Sequence, residues 1–187
     1  MEQIQVLLDS RLFMYRLLQS FFGNEPTAEL LDTLRNTLTR EVLEIYRNEA
    51  NSAAVDKLFG FMPEKLDEIR SEYTKLFIGP GKLPVPPWES VYISGEQGIR
   101  EKNTLAMREI YRSQGLLPAE YPRVADDHLA LELDYMLILA EKARNAYDSD
   151  DQSAAAEARR IRNEALTLSG EFLREHLLKW VPEFSSK

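Results

Sequence analysis

The 187-residue sequence contains no cysteine and only two histidines, His128 and His176. The absence of cysteine excludes disulfides, thiolate metal ligands and a cysteine nucleophile, and it is consistent with a reducing compartment. The two histidines lie far apart, and neither belongs to a metal-binding pair such as HExxH. The sequence also has no GxSxG turn and no GxxxxGK[ST] phosphate loop, so it predicts no metal, no cofactor and no catalytic residue.

Basic charge and long apolar runs are also scarce. The chain has 31 acidic and 23 Lys or Arg residues, which gives a formal charge of −8 and disfavours nucleic acid as a partner. No apolar run reaches the ~18 residues of a membrane span. Asp9, Arg11 and Arg16 interrupt the apolar N-terminal residues at helical spacing, which predicts an amphipathic first helix rather than a signal peptide. We therefore expect a protein without a signal peptide or a membrane span.

Helical periodicity runs through every long segment, and no segment alternates apolar and polar residues over the length of a strand. The second helix is predicted to be capped by Asn24 or Thr27, with Pro26 in its first turn. The other helices are predicted near 1–22, 39–49, 52–61, 63–78, 96–113, 126–147 and 151–178. The fold class is therefore all-α: a compact single domain over residues 1–187, a bundle of about eight helices with a possible hinge at 116–125.

Residues 83–92, LPVPPWESVY, interrupt this helical pattern. Proline inside a helix costs about 3 kcal/mol, so the segment is predicted to be non-helical. Pro84, Pro86 and Pro87 reduce the freedom of the loop before any ligand binds, which lowers the entropic cost of binding. We interpret the segment as a stiffened recognition loop.

Three segments carry a family resemblance: EYTKLFIGPGKLPVPPWESVY at 72–92, ADDHLALELDYM at 125–136 and FLREHLLKWVPEF at 172–184. In this order they resemble the motifs of the TorD/DmsD/NarJ family of cytoplasmic chaperones for molybdenum redox enzymes. The resemblance implies a non-enzymatic chaperone that binds the twin-arginine signal peptide of a molybdenum-cofactor oxidoreductase. Such a chaperone holds its client until cofactor insertion and folding, before export by twin-arginine translocation (Tat). The implied partners are this leader and the apo form of the reductase.

A twin-arginine leader presents two guanidinium groups beside an apolar segment, which calls for carboxylates, aromatic faces and an apolar groove. Together with the resemblance, this chemistry predicts a signal-peptide-binding site made of Trp88, Glu89, Tyr92, Asp126, Asp127 and His128. All of these residues except Glu89 also have a structural alternative. Asp126 or Asp127 would cap the helix that begins there, His128 would bond a backbone carbonyl, and the two aromatic residues would anchor the loop.

Other residues of the motifs are predicted to be structural. The apolar residues of the third segment are expected to pack the last helix against the bundle, with His176 in a structural role, and Tyr73, Leu76 and Phe77 are expected in the core. Two other functions stay open: a small helical enzyme with Asp127 and His128 as an acid–base pair, and a permanent structural subunit of a redox enzyme. The identity of the client reductase and the oligomeric state also stay open.

Overall fold

The computed structural model describes residues 2–60, 66–93, 97–119, 124–147 and 155–187. Within these ranges the only regular elements are helices, and the prediction of an all-α fold is confirmed. The helices are α1 Glu2–Gly23, α2 Ala28–Arg35, α3 Thr37–Tyr46, α4 Ser52–Gly60, α5 Leu66–Tyr73, α6 Glu89–Ile93, α7 Gln97–Ser113, α8 Leu129–Asn145, α9 Ala155–Phe172 and α10 Leu178–Phe184. Two π-helical segments, Thr74–Ile78 and Leu173–Leu177, follow α5 and α9 directly.

The chain divides into two compact units, residues 24–83 and residues 1–23 with 84–187. The single domain over residues 1–187 stays a prediction. So does the hinge at 116–125, of which residues 120–123 lie outside the described ranges.

The first unit, residues 24–83, holds α2 to α5 and its π-helical continuation. Thr27 caps α2 by accepting the Leu30 N–H at 3.2 Å, so Pro26 precedes the cap instead of lying in the first turn as predicted. The π segment ends at Ile78 and is followed by Gly79, whose φ of 92° favours glycine. This agrees with the predicted end of the helix over residues 63–78, whereas the predicted start of that helix at residue 63 lies outside the described residues.

In this unit the structure differs from two further expectations. α3 spans Thr37–Tyr46 rather than 39–49, because Asn36 caps it through a 2.9 Å bond from the Thr39 N–H. The aromatic residues Tyr73 and Phe77, whose rings lie 5.1 Å apart, are half-buried rather than fully buried, as is Leu76.

The second unit is built around α8, which packs against α1 and α9. The predicted apolar stripe of α8 is buried, with Leu129, Leu133, Met136 and Ala140 all nearly inaccessible. α8 is thus the central helix of this unit.

In this unit, one predicted loop and two predicted helix ends are wrong. The segment 83–92 contains a short helix, α6, because the last proline of the loop is residue 87 and the residues after Trp88 are free to turn. α8 begins at Leu129 rather than at 126. The last helix continues past 178 to Phe184, across Pro182.

The extension across Pro182 follows from side-chain burial. Phe172, Leu177, Trp180 and Phe184 are all buried, as predicted for the closing motif. Burial of large aromatic side chains contributes several kcal/mol, which offsets the cost of one proline in a helix.

Candidate functional site

The predicted site residues come from two segments that pair through their backbones. The Glu89 N–H donates to the carbonyl oxygen of Asp127 at 3.0 Å, and the Leu129 N–H donates to that of Pro87 at 2.9 Å. These bonds form an isolated antiparallel bridge, and the side chain of Pro87 is fully buried. The proline-rich loop is therefore fixed to the start of α8, which brings all six predicted site residues into one region.

Asp127 joins α6 to α7. Its Oδ2 accepts the Ser90 N–H at 3.0 Å, and its Oδ1 accepts the Thr104 hydroxyl at 3.2 Å. The carboxyl group is buried and satisfies an N–H in the first turn of α6, a role usually filled by the residue just before a helix. Asp127 thus caps a helix 37 residues away in sequence.

The cap of α8 is His128 rather than either aspartate, which corrects that structural alternative. Nδ1 of His128 accepts the Ala130 N–H at 3.1 Å. Burial lowers the pKa of His128, opposed by the nearby Asp127. A neutral ring is consistent with Nδ1 acting as an acceptor. The Trp88 ring meets this imidazole edge to face, with centroids 5.6 Å apart.

Asp126 forms a buried ion pair with Arg108 of α7. Nε and Nη2 of Arg108 both lie 2.7 Å from Oδ2 of Asp126, whose side chain is 0% exposed while that of Arg108 is 23% exposed. The Tyr111 hydroxyl donates to the backbone carbonyl of Asp126 at 3.0 Å. Oδ1 of Asp126 is buried and has no hydrogen-bond partner in the described part of the chain. Arg108 and Tyr111 were not among the predicted site residues.

Glu89 pairs with His176. Nδ1 of His176 lies 3.0 and 3.1 Å from the two carboxylate oxygens of Glu89, which is buried. The imidazole also stacks on Phe172 at 4.8 Å. His176 lies in the second π segment, and such segments redirect side chains relative to an α-helix. These contacts agree with the structural role predicted for His176.

Glu132, a residue outside the predicted site, is a further buried acid. Its Oε2 accepts the indole N–H of Trp180 at 3.1 Å, while Oε1 is buried without a partner among the described residues. Burial raises the pKa of Glu132 well above its ordinary value, and the nearby charge of Glu89 raises it further. Glu132 lies in the apolar stripe of α8, one turn from Leu129. This spacing was the sequence signal that could have identified Glu132 as a buried acid.

Replacing Glu132 with glutamine should flatten the pH dependence of stability. Because its folded-state pKa is raised, Glu132 contributes stability that is fully present below the ordinary value of 4.5 and is lost as the pH rises through the folded-state pKa. Glutamine mimics the protonated acid, so Glu132→Gln should be more stable than the wild type at about pH 8. Urea unfolding across this pH range measures the difference.

The matched control is Glu109→Gln, which neutralises an exposed acid on α7. It should leave the pH dependence of the wild type in place. A wild-type slope in Glu132→Gln would show that Glu132 is not the group that retains its proton.

Tyr92 completes an aromatic cluster. Its ring stacks on Trp180, with centroids 5.3 Å apart, and meets Phe184 edge to face at 6.2 Å. The hydroxyl oxygen is buried without a hydrogen-bond partner in the described ranges, and burial raises the pKa of Tyr92, with Glu183 adding to the effect. The ring itself is half-buried, so part of it faces solvent.

An apolar groove lies between α7 and α8. It is lined by Tyr111, Leu116, Leu117, Pro118, Leu131, Asp134, Tyr135 and Ile138. Leu117 is 60% exposed. Burial raises the pKa of Asp134, and Glu141 raises it further. The Tyr111 hydroxyl connects one wall of this groove to the backbone of Asp126.

The six predicted residues thus lie together but differ in accessibility. Glu89, Asp126 and Asp127 are buried, whereas Trp88, Tyr92 and His128 are half-buried. Within the described ranges, no group of three or more His, Asp or Glu side chains is placed to hold a metal ion. No helix in those ranges has the length and apolar character needed to cross a membrane.

Residues 25–186 match the family model described as nitrate reductase delta subunit. The chain belongs to this family. Family members similar to it include a chaperone protein TorD of Vibrio parahaemolyticus, 25% identical over all of this chain and 86% of the relative. Another, described as a Tat proofreading chaperone DmsD of Haemophilus influenzae, is 29% identical over 90% of this chain and 73% of the relative.

These relatives confirm the predicted TorD/DmsD/NarJ family and the prediction of a chaperone rather than an enzyme. A crystal structure from Archaeoglobus fulgidus, described as a redox enzyme maturation protein, is 21% identical to this chain and superposes with a TM-score of 0.44. The match covers 80% of this chain and 90% of the Archaeoglobus fulgidus chain.

Proposed function

We propose that this protein is a cytoplasmic chaperone that binds the twin-arginine signal peptide of a molybdenum-cofactor oxidoreductase. It holds the apo form of that reductase until cofactor insertion and folding are complete, before Tat export. The observation that carries the proposal is an excess of acid beside half-buried aromatic rings, in the region where the sequence analysis expects the leader to bind.

The charge balance supports the attraction of a guanidinium group. Three buried acids, Glu89, Asp126 and Asp127, share this region with the cationic side chain of Arg108 and the imidazole of His176. Glu132 is not counted, because its raised pKa favours the neutral form. Buried charges are screened by solvent much less than exposed ones. An uncompensated negative potential here would favour a cationic peptide over a neutral or acidic one.

The buried and the half-buried residues of the predicted site have different roles. The buried acids hold the loop, α6 and α7 in place through backbone and side-chain bonds. The half-buried rings of Trp88, Tyr92 and His128 are the groups available to a ligand. An arginine over a tryptophan or tyrosine ring gains about 0.5–2 kcal/mol, and the fixed loop lowers the entropic cost of binding.

The groove between α7 and α8 supports a place for the apolar part of the leader. Leu117, Leu131 and Ile138 supply apolar walls, and Asp134 supplies one carboxyl group. An apolar peptide segment beside a basic residue matches this combination.

Replacing Trp88 with alanine should weaken binding of a synthetic twin-arginine leader peptide by about thirtyfold or more in calorimetry. Buried tryptophans at the centre of an interface typically contribute about 2 kcal/mol or more. Trp88 is the preferred variant because Asp127 caps α6, and its loss would change stability as well as binding.

The control variant is Tyr46→Ala, which removes an exposed aromatic side chain in the other compact unit and should leave the affinity unchanged. A peptide whose two arginines are replaced by glutamine should lose most of its affinity. Equal affinity of wild type and Trp88→Ala for the leader would contradict the proposed site.

The family description names a subunit, which favours a permanent subunit of a redox enzyme as the second candidate. An affinity pull-down of the tagged protein from its own cells, grown anaerobically, separates the two functions. A chaperone enriches one reductase precursor that retains its leader. A permanent subunit copurifies at fixed stoichiometry with the mature enzyme, from which the leader has been removed.

A further inference from the structure

The ring of Tyr92 already holds a cation from its own chain. Nζ of Lys187, which follows α10, lies 4.5 Å from the centroid of the Tyr92 ring. The indole of Trp180 stacks on the same ring, with the two centroids 5.3 Å apart. The same Nζ is 3.6 Å from Oε1 of Glu183. Tyr92 and Glu183 thus form a small cation seat, with an aromatic face and a carboxylate.

We propose that this seat binds one arginine of the signal peptide and that Lys187 occupies it until the peptide arrives. The inference rests on the proposed function and adds to it a specific subsite and an internal competitor. Lys187 provides the ammonium that a guanidinium from the partner replaces. The seat therefore selects for a cation before any leader is present.

A guanidinium is the better occupant of this seat on physical grounds. It is planar and more weakly hydrated than an ammonium, so it stacks on an aromatic face at a lower desolvation cost. It also forms directional paired bonds with a carboxylate such as Glu183, whereas the ammonium acts as a point charge. The side chain of Lys187 is 40% exposed, so it returns to water easily when it is displaced.

The first test is the affinity of Lys187→Met for a synthetic leader peptide with adjacent arginines, measured by calorimetry. Removal of the competitor should tighten binding by about two- to fivefold, the range expected for an exposed cation–π contact. Lys187→Arg retains a cation over Tyr92 and should bind the peptide no more tightly than the wild type.

Lys179→Met is the matched control because it removes one positive charge from α10, the helix that precedes Lys187. Lys179 pairs with Glu175 at 2.7 Å. It reports any general effect of charge on the affinity for a basic peptide. An equal gain in Lys187→Met and Lys179→Met would overturn the subsite.

The second test follows the ε-methylene resonances of Lys187 by NMR. Over an aromatic ring these resonances are shifted upfield, and they should move to ordinary lysine positions when the leader peptide is added. If the wild type binds the peptide while these resonances stay in place, the competitor is refuted and the proposed function stands. If the wild type binds no leader peptide, both proposals fail.

Discussion

Replacing Arg108 with alanine should lower the free energy of unfolding by about 3–5 kcal/mol, the usual cost of breaking a buried ion pair from one side. Asp126 is 0% exposed, and its Oδ1 already has no partner among the described residues. Without the guanidinium of Arg108, Oδ2 of Asp126 would also lose its charged donor. The loss should be measured by urea unfolding at neutral pH.

Two variants show whether the uncompensated charge is the cause. Arg112→Ala removes an exposed arginine one turn further along α7 and should change stability by less than about 0.5 kcal/mol. Adding Asp126→Asn to Arg108→Ala removes the buried charge and should restore at least about 1 kcal/mol. A loss that the second substitution does not reduce would assign the effect to packing of the arginine stem instead.

Apolar helix stripes and one local cap could be predicted from the sequence because their signals lie within a few residues, although the local caps Asn36 and His128 were missed. The apolar spacing of α8 and the cap at Thr27 are such signals, and both agree with the structure. The start of α6 was missed because the residue that caps it, Asp127, is distant in sequence. No local sequence pattern predicts a helix cap that is supplied by another segment.

The candidate site was predicted as a set of residues but not as a set of contacts. The motifs placed Trp88 and His128 in one region, and the backbone bonds of the neighbouring residues hold the two opposite each other. Their partners Arg108 and Tyr111 lie on α7, where the sequence presents them as ordinary helix residues. Glu132 is different, since an acid in a buried apolar stripe is itself a signal of an internal partner.

The structural role and the proposed binding role of the acids in the motif are compatible. A carboxylate that fixes a loop through backbone N–H groups must be buried, and a buried carboxylate still contributes to the potential felt by a nearby ligand. Asp127 does the first by binding Ser90 and Thr104. Its contribution to peptide affinity is therefore expected to act through the field and through the position of Trp88, without direct contact.

Replacing Trp180 with alanine should destabilise the protein by about 3–5 kcal/mol, because the site would lose a fully buried indole. The same change removes the stacking surface of Tyr92 and the hydrogen-bond donor of Glu132. Since the indole N–H is the contact that lowers the pKa of Glu132, its loss should raise that pKa further. Urea unfolding at several pH values measures both effects.

Trp180→Phe separates packing from hydrogen bonding, because phenylalanine keeps most of the apolar volume but has no donor. Its cost should be about 1–3 kcal/mol, that of leaving a buried polar group unsatisfied. Adding Glu132→Gln to Trp180→Phe should reduce this cost above the ordinary pKa of the glutamate, since no buried acid remains to ionise. If Trp180→Phe were as stable as the wild type at every pH, the bond to Glu132 would contribute nothing, and the role of Trp180 would be packing alone.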